Sequence, residues 1–256
     1  RDEWWRQTPR AITYSETRAA EIMPRLREGA RLVRSLDAKK RPLWINEAAE
    51  SDMKFIRQYI DSIDITGLDV YPVHAVPKES IAVTGDYTDR YKSIGRGRPV
   101  WMVLQAFAWG WLKEAAPEAI TYPTFAETRV MAYAALTHGA RGLLYWGSFY
   151  VAADSPFRES IYAMTSELAA LQPFLIAPEE KTVGVKLTES RGRSQVGDRG
   201  VSWIARRAGS EFLLVLVNED NRAHMGVEAT GLTALNGREM VELYGPETAG
   251  VAQGGF

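Results

Sequence analysis

The sequence predicts an α/β protein in which four successive strand–helix units precede a small antiparallel β domain. Near-continuous apolar runs (RPLWINEA, ITGLDVYPV, RPVWMVLQAF and RGLLYWGSFY) alternate with stretches of helical period. Strands that are apolar on both faces belong to parallel sheets covered by helices. After Pro173 and Pro178 the pattern changes to short strands separated by Gly, Asn, Asp and Ser, as in an antiparallel sandwich. The boundary is expected near residues 173–180, dividing the chain into 1–175 and 176–256.

Taken in order, residues 16–37 form an amphipathic helix with Leu26, Ala30, Val33 and Leu36 on one face, and Pro24 predicts a restart of the helix there. Residues 41–48 are a short buried strand. The helix over 51–60 has Ser51 as its expected N-cap and Met53, Ile56, Tyr59 and Ile60 turned inward. The strand over 65–73 is stopped by Pro72, and the helix over 84–95 ends on Gly95. A strand over 98–107 follows. Residues 124–140 open with a capping box, Thr124 with Glu127, and close on Gly139. The strand over 141–150 leads to a last helix over 155–171, whose Ser155-Pro156 start is an N-cap and N1 pair. Beyond it lie strands within 181–190, 200–220, 223–232 and 237–245, with RAGSEF as a hairpin turn.

Composition narrows the function classes. A formal net charge of −1 gives no electrostatic case for nucleic acid or an anionic membrane. No apolar run approaches the ~20 residues that span a bilayer, and no basic-then-apolar leader opens the sequence. There is no cysteine, so disulfides, thiolate metal sites and cysteine nucleophiles are excluded while the compartment stays open. No HExxH, GxxxxGK[ST], GxGxxG or GxSxG pattern occurs, so neither a metal nor a cofactor is expected. His74, His138 and His224 are scattered, and His138 beside Gly139 reads as a helix cap. The chain starts on Arg1 and stops at Gly254-Gly255-Phe256, and both ends are expected to be cut ends.

In parallel α/β architectures, reactive side chains stand at the C-terminal ends of strands. Those positions hold Asn46 and Glu47, then Asp69 and Tyr71, then Gln105 with Trp109 and Trp111, then Trp146 and Tyr150. Hydrolysis of a glycosidic bond needs two carboxyl groups, and Glu47 and Asp69 are the expected pair. Flat sugar rings bind well against indole and phenol faces, so Asn46, Tyr71, Gln105, Trp109, Trp111, Trp146 and Tyr150 are the expected saccharide-binding set. Each also has a plain structural role open to it: Glu47 can cap a helix, Asp69 can hold a loop, and Gln105 can satisfy buried backbone.

The succession LDAKKRPLWINEA, GLDVYPV, RPVWMVLQAFAW and YPTFAETRVMAYAALTHGARGLLYWGSFY resembles the second half of a (β/α)8 TIM barrel of the clan A glycoside hydrolase type, over about residues 20–245 and most specifically over 98–150. It is similar to bacterial glycosidases in which a β-sandwich follows the barrel. The resemblance implies a glycoside hydrolase acting on oligo- or polysaccharides. It also implies an acid/base carboxylate after the fourth barrel strand, at or before Arg1, with Asp2 and Glu3 nearest. The nucleophile of the clan is a Glu ending the seventh strand, where this chain has Gln105. Two alternatives therefore stand: a hydrolase whose carboxylates come from elsewhere, Glu47 or Asp69 first, or a non-catalytic carbohydrate-binding or structural barrel fragment. Half a barrel leaves two raw sheet edges. The expected partner is thus a second copy, or a missing N-terminal half-barrel, beside the carbohydrate ligand. If the protein is exported, periplasmic or secreted placement is the expectation.

Overall fold

The computed structural model describes residues 16–49, 51–76, 80–112, 120–191, 200–220, 224–246 and 248–256; Asp2 and Glu3 lie outside them. By compactness the chain divides into two units, Arg1–Arg158 and Glu159–Phe256.

The first unit holds α1 (Glu16–Leu36), β1 (Trp44–Ala48), α2 (Met53–Tyr59), β2 (Ile65–Val70), α3 (Val83–Ile94), β3 (Val100–Gln105), the single turn α4 (Trp109–Leu112), α5 (Phe125–Thr137) and β4 (Gly142–Trp146). The four strands form one parallel sheet in the order β1-β2-β3-β4. Residues side by side in a parallel ladder share a face, so the register sorts every side chain. One face carries Glu47, then Leu68 and Val70, then Met102 and Leu104. Leu68, Met102 and Leu104 are fully buried there, each contributing about 1.5–3 kcal/mol relative to exposure. This is the helix-covered face: α3 packs on β2 and β3, and α5 on β3. The opposite face carries Trp44 and Asn46, Gly67 and Asp69, Trp101 and Gln105, Gly142 and Trp146. Trp44 lies over Gly67 and Trp101 over Gly142, so closely that a Cβ at either glycine would meet the indole within 2.8 Å.

Several local expectations shift. The helix over 16–36 runs straight through Pro24 instead of restarting. Its Leu32, Val33 and Leu36 are exposed, while Ala19 and Met23 are the buried pair. Asp52, not Ser51, is the N-cap of α2, accepting from the Lys54 N–H at 2.9 Å. Ser51 is buried and its hydroxyl is engaged elsewhere. The capping box at Thr124 and Glu127 is present, and His138 is the C-cap of α5. Where a strand was expected to reach residue 150, β4 stops at Trp146 and a 3-10 turn covers Ser148–Tyr150. Asp64 ties the start of the sheet together, accepting from the Leu43 N–H at 2.8 Å and from Arg34 at 3.0 Å. Arg34 first, and then the Leu43 N–H, hold its carboxyl below the usual range.

A helix that starts at Pro156, before the division between the units, runs to Leu175, through Pro173. It is followed by β5 (Gly184–Arg191), β6 (Val201–Ala208), β7 (Glu211–Asn218), β8 (His224–Thr230), β9 (Glu239–Val241) and β10 (Thr248–Gly250). They pair antiparallel as β5-β8, β6-β7 and β9-β10. Val183, Ala205, Ala229, Leu232, Leu235 and Val251 form their common core. Among the described residues, no helix is long and apolar enough to cross a membrane.

Candidate active site

Parity along the strands decides which of the strand-end groups can meet. Asp69, Gln105 and Trp146 share the less covered face, with Asn46 one ladder step lower, opposite Gly67 and exposed. Glu47 is opposite Leu68 and points the other way, into the helix layer. There its carboxylate accepts from the Tyr59 hydroxyl and, at 3.0 Å, from the Ser51 hydroxyl. The Tyr59 phenol is buried and its pKa is raised, by burial first and then by the Glu47 charge. The same turn is tied by the Tyr91 hydroxyl to the Ala48 carbonyl at 3.0 Å and by Arg90 to the carbonyls of Ala49 and Ser51. Glu47 and Asp69 are therefore not brought together.

Gln105 is completely buried and all its hydrogen-bonding groups are used. Its Oε1 accepts from the Val73 N–H at 2.9 Å, and its Nε2 donates to the Val73 carbonyl at 2.8 Å and the Phe107 carbonyl at 3.0 Å. The amide thus mimics a sheet partner for the chain leaving β2. Only a group that both donates and accepts can do this. A carboxylate would face two carbonyl oxygens.

Around this staple, rings from three strand ends converge. Tyr71 stacks on Trp146 at 5.7 Å and 27°, and meets Phe107 edge-on at 5.0 Å. Phe107 in turn meets Trp109 and Trp146 edge-on, at 5.2 and 5.0 Å. Trp109 donates its indole N–H to the Tyr71 carbonyl at 3.1 Å and lies parallel to the His74 imidazole at 5.0 Å. Trp146 continues outward to Phe149 and Tyr150, at 6.0 and 6.1 Å. Gly147 makes the corner possible: its φ is +91° and a Cβ there would sit 2.7 Å from the Phe107 Cβ. Trp111 stands apart from this group, donating to the Tyr122 hydroxyl, while Tyr122 stacks on Phe157 at 4.9 Å.

Asp69 joins the cluster through Tyr71, whose hydroxyl donates to its carboxylate. Burial first, and then the Asp69 charge, raise the pKa of that phenol. The result is a half-buried carboxylate next to a wall of rings at the C-terminal ends of parallel strands. Phe149 and His74 belong to the same ring system and were not expected from sequence. Phe149 was detectable in the aromatic run of Tyr145, Trp146, Phe149 and Tyr150. Among the described residues, no three His, Asp or Glu side chains converge as metal ligands.

A carboxylate and aromatic rings are thus gathered at the strand ends of a parallel α/β sheet. No protein-family model matches the chain, and no curated protein matches it. Among solved structures it is similar to the cold-adapted β-galactosidase from Rahnella sp. R3, with 17% identity and a TM-score of 0.47. The match covers 60% of this chain and 25% of that one, so this chain spans about a quarter of that enzyme's length.

Proposed function

We propose that the chain carries one wall of a saccharide site of the glycoside hydrolase kind, acting on O-glycosidic bonds of oligo- or polysaccharides. The observation that carries this is the ring cluster of Tyr71, Trp109 and Trp146 beside Asp69. Rings offer stacking surface for the apolar faces of sugars, and a convergent carboxylate offers hydrogen bonding or proton transfer. In this assignment Asp69 is the reacting or hydroxyl-binding carboxyl group, Tyr71 orients it, and Trp146 is the platform. Asn46 on the same face extends the polar floor. Hydrolysis requires a second carboxyl group. Glu47, occupied by Tyr59 and Ser51 in the helix layer, is assigned instead to holding the β1 turn, so the second carboxyl comes from another segment.

We read β1–β4 as four strands of a (β/α)8 barrel over residues 1–175, with 176–256 as a β-sandwich. Among the described residues β1 and β4 each have a neighbour on one side only. A second copy or an N-terminal half-barrel supplies the remaining strands. A second functional assignment, saccharide binding without hydrolysis, rests on Gln105, a neutral amide already saturated by backbone at the end of β3.

The test is turnover of a panel of aryl glycosides by wild type, Asp69→Asn and Glu47→Gln. Hydrolysis reduced about 100-fold or more by Asp69→Asn, in the range of general acid–base catalysis, and kept by Glu47→Gln is the expected result. Saccharide binding without turnover selects the second assignment. Neither binding nor turnover removes both.

A further inference from the structure

The turn after β4 carries more aromatic surface than one sugar ring can cover. Trp146 is 38% exposed, Tyr150 37% and Phe149 71%. Phe149 stands at 84° to Trp146, and Tyr150 at 64°. Phe149 and Tyr150 lie only 4.0 Å apart at 38° to each other. They form a second platform set steeply against the first. A flat ring stacked on the Trp146 face cannot also lie flat on the Phe149 face. Two successive units of one chain can each take one platform.

The turn that carries Phe149 does not need its ring. The turn is closed by its own backbone, Tyr150 N–H to the Gly147 carbonyl at 2.9 Å and Val151 N–H to the Ser148 carbonyl at 3.2 Å. A ring so exposed adds little to the packing that holds it. The rings are also ordered in space. Tyr71 is bonded to Asp69; Trp146 stacks on Tyr71; Phe149 and Tyr150 lie beyond Trp146.

We propose that the Ser148–Tyr150 turn is a second saccharide subsite, so that the site takes chains of two or more sugar units, running outward from Asp69, in preference to monosaccharides. This rests on the saccharide assignment above. Phe149 is the residue that sets the length preference, and Trp146 serves every length.

Isothermal titration of the full chain tests it, using β-1,4- and β-1,3-linked gluco- and galacto-oligosaccharides of one to five units. In the series that binds, affinity is expected to rise about tenfold between one unit and three, a difference of about 1.4 kcal/mol. Phe149→Ala cuts that ratio below about threefold without moving the thermal midpoint, and Trp146→Ala weakens binding at every length. Equal affinity at all lengths, or a ratio that survives Phe149→Ala, overturns the subsite and leaves the saccharide assignment standing. Absence of binding in every series at every length overturns the saccharide assignment and the subsite with it.

Discussion

Replacing Gln105 by glutamate exchanges an amide nitrogen for an oxygen at a position with no exposure to solvent. The amide now accepts one hydrogen bond, from the Val73 N–H, and donates two, to the carbonyls of Val73 and Phe107. An ionised carboxylate in its place keeps the first and turns its charge against both carbonyls, so the introduced side chain holds its proton in the folded state. A protonated carboxyl donates once. One buried carbonyl is then left without a partner, at a cost of about 1–3 kcal/mol. Holding the proton adds to this at neutral pH, because the same carboxyl ionises freely in the unfolded chain. Holding the proton at pH 7 against an unfolded pKa of about 4.3 costs about 3.7 kcal/mol. The predicted loss for Gln105→Glu is therefore about 5–7 kcal/mol at pH 7. The sign of the pH dependence follows from proton counting. Between the unfolded and folded pKa values the folded variant binds more protons, so its stability falls as pH rises through that window. Near pH 4 only the ~1–3 kcal/mol of the orphaned carbonyl remains. Urea unfolding of wild type and variant at pH 4 and pH 7 measures both differences. Equal stability at pH 7, a deficit that does not shrink in acid, or hydrolysis acquired by the variant would refute the staple.

Glu47→Gln leaves the Tyr59 and Ser51 hydroxyls with one acceptor oxygen between them and points an NH2 at the other. A loss of about 1–3 kcal/mol in urea unfolding is expected, with saccharide affinity unchanged; a large loss of affinity at wild-type stability would return Glu47 to the site. For Asp64, the depressed folded pKa means that its pairing stabilises above the unfolded pKa and is lost as pH falls through the folded one. Asp64→Asn should therefore flatten the acid limb of the stability curve below about pH 4, by no more than about 1 kcal/mol for so exposed a pair. An unchanged acid limb would count against it.

The chemical types at the site were legible in the sequence because strand ends in a parallel α/β chain are recognisable from their apolar runs. Their partners were not. Glu47 and Asp69 look equivalent as single carboxylates near strand ends. Strands apolar on both faces carry no alternation to show which side a given residue takes. Parity relative to β2 decides it, opposite Leu68 for Glu47 and opposite Ala48 for Asp69. Ser51 looked like a cap because it precedes a helix; the buried oxygen of Glu47 competed for its hydroxyl. Trp111, two residues from Trp109, goes to Tyr122 because a single helical turn sends the two indoles to different sides.

By itself, then, the sequence determined the order of strands and helices, the change of architecture after the last helix, and the capping box at Thr124. These depend on period, turn chemistry and contacts within a few residues. Only the tertiary structure decided that Gln105 is a clamp on Val73, 32 positions away, that Glu47 faces the helices, and that rings from three strand ends form one platform. Hydrogen-bond partners and ring contacts between distant strands depend on register and side-chain direction, and both are settled only when the strands pair.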